Sequence, residues 1–531
     1  MSDAPTIALT AAPADAPRDV RLAAAIVLAG LAAAIGCGLA SDGLHHFDDL
    51  THFLMARWSS RFPRYLLNDW GRPGFTALYA LPAQLGWPAA RLFSAGLSAV
   101  AAWGAFRIAQ RLGLARPWLA AMVCWVQPLF FELSLTTLTE TALAFYLTAA
   151  TWLALRGRWS LSAAVLSIGF VTRHEAIVFL PVWVVCAWQC RVPLWRLWPA
   201  AWAVACVNGL AHALGQPTAI GRWFAPHPTS QYGHSGWLTF LCRSMEAWGP
   251  AGAAAGLAGL APLWRRAGGG LVAGSVLVYL AAQTAIRALG LFDSGGYPRF
   301  LVPVAPLLAV CATAAVGELL ARETARRRIA GAAVALAFAL LWLAMEIQLG
   351  RPETPAYLPQ VHAAKWAVRG SAMLFVMLGL AALATAPDGR ATRRLTSCMV
   401  AALATLGAIT AGYLIRPLRV GPGERVVDQA IAWLDDHGLH DRPFESAHVY
   451  AEFRRGAICD PRQPPLRDRL AAAPNGTILM WDRQFAASAD HGLPLGDVQD
   501  HPGWRRLFSG DPLPYQTEPQ VRLFEKVGPW P

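Results

Sequence analysis

Apolar residues in this chain fall in long runs rather than at a strand or surface-helix period. One run extends from Leu22 to Leu39. Others that cross or nearly cross a bilayer recur at about 88–108, 117–131, 140–155, 159–172, 175–190, 196–213, 238–263, 269–290, 300–320, 329–348, 370–386 and 396–415. With the first they number thirteen, and the pattern predicts a polytopic all-α membrane protein with about 13 transmembrane helices.

Three stretches depart from it. Residues 1–20 are rich in Ala and Pro, lack periodicity and read as a disordered tail, leaving 21–416 as the membrane domain. Between the first two runs, residues 41–87 form a long loop. In it Leu50, Phe53, Leu54, Arg57 and Trp58 recur at helical spacing up to Pro63, as in a short interfacial helix. Trp70-Gly71-Arg72-Pro73-Gly74 then breaks the chain, and Phe75 to Leu85 form a second apolar piece. Residues 421–531 are polar, rich in Pro and Gly, and built of short segments. They predict a small α/β domain: a helix from Val426 to His437 stopped by Gly438, strands at Phe444–Tyr450, Thr477–Trp481 and Val521–Val527, and a partly helical turn at Asp500–Leu507.

Composition sharpens this picture. The 531 residues are 55% apolar and 15% charged, more hydrophobic than one water-soluble core requires. The net charge is +12, yet residues 421–531 hold 12 Lys and Arg against 16 Asp and Glu, so the preceding part carries +16. Basic charge in the membrane part suits anionic phospholipids and phosphate groups. No basic stripe interleaved with aromatics marks the soluble segment, which argues against nucleic acid. Cys459 is the lone cysteine of residues 421–531, so that domain forms no internal disulfide.

The basic residues also set an orientation. Arg111 and Arg116, Arg156 and Arg158, Arg191 and Arg196, Arg265 and Arg266, Arg326 to Arg328, and Arg390 with Arg393 and Arg394 lie in alternate loops, which the positive-inside rule makes cytoplasmic. The amino terminus is then cytoplasmic, and the 421–531 domain extracytoplasmic, in the plasma (bacterial inner) membrane. Arg18 and Arg21 before the first run would also suit a signal peptide. Retention of the run agrees better with the parity of the later spans and with the chemistry of the loop that follows it.

That loop opens His45-His46-Phe47-Asp48-Asp49-Leu50-Thr51-His52, two carboxylates and three imidazoles beside a hydrocarbon boundary. Such groups take a proton from a hydroxyl or hold a divalent metal. Asp48 is equally placed to cap the interfacial helix. His52, Asp49 and Glu140 are candidate ligands for a divalent ion, although no spacing matches a dedicated zinc motif. Glu140 starts a span on the external side, where the helix dipole also favours a carboxylate. Arg299 stands at the external end of another, suited to a phosphate or to interfacial anchoring. Arg173 and Glu175 lie in a short turn and serve either a site or the turn itself, and Trp70 offers a face on which a sugar could stack.

Four motifs together carry a resemblance. They are His46-Phe47-Asp48-Asp49, Trp70-x-Arg72-Pro73-Gly74, Thr172-Arg173-His174-Glu175 before Leu180-Pro181, and Tyr297-Pro298-Arg299-Phe300-Leu301-x-Pro303-x-x-Pro306. In these the membrane part, about residues 20–415, resembles the glycosyltransferase C superfamily, with protein O-mannosyltransferases and bacterial aminoarabinose transferases as the nearest relatives.

The resemblance implies an integral membrane enzyme that moves a monosaccharide from a polyprenyl-phosphate carrier to an acceptor at the extracytoplasmic face, with inversion. The acceptor would be a lipid, glycan or protein hydroxyl. It makes Asp48 the general base, Glu140 the second acidic position and Arg299 the residue associated with the carrier phosphate. Asp49, Arg72, Trp70, Arg173 and Glu175 are then substrate-binding candidates. The family's usual Asp-Glu pair is here Asp48-Asp49, one methylene shorter at the second position.

A lipid or sugar transporter or flippase would also be polytopic and basic, but would carry ionisable residues near the midplane and repeated halves. Glu246 and Glu346 are the residues that would favour it. A polymerase or ligase of surface polysaccharide would share the chemistry and differ in its acceptor.

Overall fold

The computed structural model describes residues 16–218, 220–221, 234, 236–349, 359–385, 389–488, 491–513 and 516–530. The tail expected at 1–20 lies outside them up to residue 15, and residues 16–20 already belong to the first helix, Ala16–Leu39. The chain is mostly helical, with a small sheet near its carboxyl end.

Among the described residues seven helices are long and apolar enough to cross a membrane: Pro17–Leu39, Trp87–Arg111, Gly269–Ala288, Pro298–Leu319, Thr324–Gln348, Lys365–Ala384 and Arg390–Tyr413. Other apolar runs form shorter helices. Prolines divide two of them. Pro128 starts a new helix after Trp118–Val126, and Pro250 starts another after Thr239–Trp248. Proline lacks the N–H that would continue a helix but suits its first position.

The chain forms two compact units. One comprises the described residues up to Gly38, Arg72–Phe75 and Arg91–Arg416; the other comprises Leu39–Gly71, Thr76–Ala90 and Pro417–Pro531.

The membrane unit is packed around the helix Ala305–Leu319, whose residues from Ala305 to Ala315 are all buried. Close approaches set its geometry. A Cβ at Gly259 would lie 1.8 Å from the carbonyl oxygen of Cys311, and one at Gly74 would lie 2.3 Å from Thr172 Oγ1. Glycine is thus what allows Arg72–Phe75 to lie against the end of the helix Trp159–Thr172. Tyr146 completes that contact by donating to the Gly74 carbonyl at 3.2 Å.

The second unit is built on a four-stranded sheet, with β1 (Phe444–Ser446), β2 (Ile478–Asp482), β3 (Trp504–Ser509) and β4 (Val521–Lys526) in the order β1-β2-β4-β3. β1 and β2 are parallel and the other pairs antiparallel. Every residue of β2 is buried, as expected of a strand covered on both faces. Leu479, Trp481 and Phe524 join Leu466, Leu470 and Trp530 in one core. The amphipathic helix Pro422–Asp436 packs against β3 and β4, and it ends at Gly438, whose φ of 66° suits glycine.

Two expectations need correction here. Residues 504–509 form a strand rather than a helical turn, because β4 supplies hydrogen-bond partners from a distant part of the chain. Residues 444–450 divide into β1 and a helix Val449–Arg454, capped by His448, whose Nδ1 accepts from Tyr450 N.

The first loop groups with this unit. Its helix Phe47–Trp58 places Phe47 between His448 and Phe485, with ring centroids 4.8 and 5.5 Å away. Phe53 and Trp87 meet Phe453 at 6.2 and 5.1 Å. Trp58 Nε1 donates to the Ala457 carbonyl at 3.1 Å and Tyr65 OH to that of Cys459 at 3.0 Å. Burying Phe53 fully contributes about 1.5–3 kcal/mol. At Gly43, where a Cβ would lie 2.1 Å from the Arg419 carbonyl, the loop backbone donates to the Leu418 carbonyl.

Candidate active site

In the membrane unit, parts of the chain far apart in sequence bring charged residues together. Glu140, on the first turn of the helix Thr139–Leu155, is 1% exposed. Its carboxylate is 2.7 Å from Arg173 Nη1 and 3.6 Å from Arg299 Nε. Arg173 also bonds Glu175 through Nε at 2.6 Å and Thr139 Oγ1 through Nη1 at 3.0 Å. Glu175 accepts further from Tyr279 OH at 3.5 Å and Gln283 Nε2 at 3.4 Å. Arg72 Nη1 lies 3.0 Å from a ring nitrogen of His174.

Local structure explains each placement. Arg173 is the C-cap of the helix Trp159–Thr172 and Glu175 lies in the first turn of the 3-10 helix His174–Val178, so the Arg-His-Glu triplet turns both charges to one place. Arg299 lies in the 3-10 segment Pro298–Val304, whose Leu301 carbonyl accepts from Trp248 Nε1. The segment's aromatic rings face the guanidiniums. Arg173 Cζ lies 5.0 Å from the Phe300 centroid, and Arg299 Cζ lies 5.2 Å from that of Tyr297. Tyr279 is held by stacking on Phe179 at 5.1 Å. Arg72 adopts φ 61°, a left-handed conformation unusual for a side chain of this size.

These five charged groups comprise three guanidiniums and two carboxylates. Buried charges persist only when paired and hydrogen-bonded, and here each carboxylate meets arginine. A planar guanidinium fork in such a setting suits a phosphate or carboxylate ligand.

The second unit holds the loop carboxylates. Helix capping at Asp48 is not what the structure has: His46 is the cap, its Nδ1 accepting from Asp48 N at 3.2 Å, and Asp48 sits inside the first turn. Its carboxylate lies 3.2 Å from His46 Nδ1 and its side chain is 24% exposed. Asp49, about 100° further round the helix, is fully buried. One carboxylate of the pair is therefore accessible and the other is not. His52, also buried, stacks on the half-exposed Trp70 at 6.3 Å. No group of three or more His, Cys, Asp or Glu side chains gathers as a metal site among the described residues.

Burial perturbs several groups beneath this loop. Glu452, beside Phe453, is pushed up to about 7, chiefly by desolvation, with a partial opposing effect of the Cys459 hydrogen bond. Desolvation also pushes Asp482 up to about 6 and His448 down to about 3.

Sequence reasoning did not single out Thr139, Tyr279, Gln283, Tyr297 or Phe300 as partners. A signal existed for Gln283, an amide inside an apolar helix. Glu246 and Glu346, the residues that would favour a transporter, pair with Arg243 and Arg369.

No family model matches the sequence, and no curated protein matches it. Among solved structures the chain is similar to ArnT from Cupriavidus metallidurans in the apo state, with 14% identity and a TM-score of 0.57 over 97% of this chain and 99% of that one. ArnT from the same organism bound to undecaprenyl phosphate matches with 13% identity and a TM-score of 0.50, again over 97% and 99%. ArnT has the glycosyltransferase C fold, and the match shows that fold here.

Proposed function

We propose that this chain is an integral membrane glycosyltransferase that moves a monosaccharide from a polyprenyl-phosphate carrier to an acceptor hydroxyl at the extracytoplasmic face, with inversion. The cluster of Arg72, Arg173 and Arg299 with Glu140 and Glu175, in which Glu140 and Arg299 are buried, carries the reading. It supplies forked cations for a phosphate within a membrane unit, in a fold shared with a protein crystallised with undecaprenyl phosphate. Thirteen spans, a cytoplasmic amino terminus and an extracytoplasmic 421–531 segment complete the proposal.

In this reaction the acceptor oxygen bonds to the anomeric carbon as the bond to the carrier phosphate oxygen breaks. The departing phosphate is already a stable anion and needs little proton donation. The acceptor hydroxyl must lose its proton, and Asp48, the accessible carboxylate of the loop, takes it. Arg299 and Arg173 hold the carrier phosphate as charge grows on it, Glu140 and Glu175 keep those guanidiniums oriented, and Arg72 adds positive potential. Trp70 offers its face to the sugar, and Asp49 holds the loop helix from its buried side.

The test is incubation of the purified protein with a panel of polyprenyl-phosphate sugars, following release of polyprenyl phosphate. Turnover with one of them that requires an acceptor supports the reading. Absence of release across pentose and hexose donors and a range of hydroxyl acceptors would remove it.

A further inference from the structure

The helix that follows Glu175, Phe179–Gln189, and the helix that carries Tyr279, Gly269–Ala288, have a second feature at their ends away from that pair. A cavity of about 360 Å³ lies there, lined by Gln189, Cys190 and Arg191 after one helix, Arg266 before the other, and Trp264 and Leu271. From Gly270 to Gln283 the helix rises roughly 20 Å, so this cavity is distinct from the charged cluster.

Its polar wall is cationic. Arg266 is tethered, donating to the Gly113 carbonyl at 3.1 Å and lying 3.5 Å from Glu318. Arg191 is exposed and forms no ion pair among the described residues. Its φ of 54° lets the next residue, Val192, close the helix by donating to Ala187 O at 2.8 Å, which holds the arginine at the rim. The positive end of the helix dipole at Gly269 adds to the same potential.

The chain on either side of Arg191 is apolar and aromatic. Trp188, Leu194, Trp195 and Trp198 are 72, 49, 67 and 66% exposed, an unusual density of large apolar side chains for a surface facing only water. In a membrane unit, tryptophans interleaved with arginines mark the head-group level. The cavity thus joins guanidiniums, in a segment with the composition of a head-group boundary, to an apolar wall of Trp264 and Leu271.

We propose that this cavity binds the phosphate head group of an anionic phospholipid, with Arg191 as its principal contact and the acyl chains along the apolar wall. The site stands apart from donor turnover and is tested without it. Full-length protein is reconstituted in nanodiscs of phosphatidylcholine alone or of an equal mixture with phosphatidylglycerol, and maleimide alkylation of Cys190 is followed by mass spectrometry of its peptide. Cys190 lines the cavity and is half-buried.

The anionic discs should slow alkylation about fivefold, the scale of one arginine near an anionic surface. Arg191→Lys should retain the slowing, Arg191→Glu should lose it, and inorganic phosphate added to phosphatidylcholine discs should not reproduce it. Equal rates in the two discs would overturn the proposal, as would slowing that persists in both Arg191→Glu and Arg191→Ala. Protection by free phosphate equal to that by the lipid would overturn the lipid assignment.

Discussion

The two acidic centres of this molecule are held in place by opposite means. Glu140 in the membrane unit is bracketed by Arg173 and Arg299, with aromatic rings behind the guanidiniums. Asp48 in the second unit is carried on a helix gripped by aromatic packing: Phe47 against His448 and Phe485, and Phe53 against Phe453. Where water is scarce a carboxylate persists by ion pairing, so arginines hold Glu140 in position. Where an apolar core is available, ring packing places the helix with the hydrogen bond of Trp58 to Ala457 beside it, and one carboxylate stays accessible. In the proposed reaction the group that would take the proton sits on the apolar support, and the groups that would hold the phosphate sit among charges.

This contrast can be broken at its strongest point first. Glu140→Ala leaves buried guanidiniums without their shared partner and should cost about 3–5 kcal/mol, measured as denaturant or thermal stability in detergent. Phe53→Ala should cost about as much by opening a cavity. The two differ in what fails: Phe53→Ala should raise protease cleavage within 47–58 and 444–459, and Glu140→Ala should not. If both variants exposed the same segments, the two supports would not be independent.

Next in size, Asp48→Asn should lower transfer by about a hundredfold or more, the scale of a positioned base, with unchanged melting because His46 is the cap. Near-parental transfer in Asp48→Asn, with loss in Glu140→Gln, would move the base into the arginine cluster.

A smaller effect concerns the support itself. Glu452 has a folded value of about 7 against an ordinary 4.5, so between those limits the folded state binds more protons than the unfolded one. Its contribution is fully present below pH 4.5 and is lost as pH rises through 7. Buried His448, with a folded value of about 3, acts with the opposite slope: stability falls as pH drops from 6.5 toward 3. The two partly cancel in the parent protein, so the difference between Glu452→Gln and parent is the clean readout. The variant should gain about 2 kcal/mol at pH 8 relative to pH 5 in melting experiments. An unchanged difference across that range would remove Glu452 from the support.

The smallest expected effect is Arg299→Lys, which keeps a point charge and loses the fork. Carrier affinity should fall about tenfold with the fold intact, measured by competition with polyprenyl phosphate. Equal affinity would reduce Arg299 to an interfacial anchor.

Much of this architecture was legible in the chain. Unbroken apolar runs specify membrane helices because hydrocarbon tolerates no unpaired backbone, and this property is local to each run. The loop helix was readable from Leu50, Phe53, Leu54 and Trp58, and the Pro422–Asp436 helix from its amphipathic period and Gly438. The motifs likewise carried Arg173 and Glu175, in a short turn, and Arg299, at the end of a span, as candidates, since a charge has no apolar reason to be there.

What only the tertiary structure decided were relations between distant residues. Nothing in the local pattern says that Glu140 meets Arg173, that Tyr279 and Gln283 reach Glu175, or that the first loop packs on residues 444–485. Strand β3 was misread for the same reason, because its hydrogen bonds come from β4. Even between neighbours the sequence was silent: Asp48 and Asp49 are chemically alike, and one becomes accessible while the other is buried because a helix turns successive side chains about 100° apart against a surface that only folding creates.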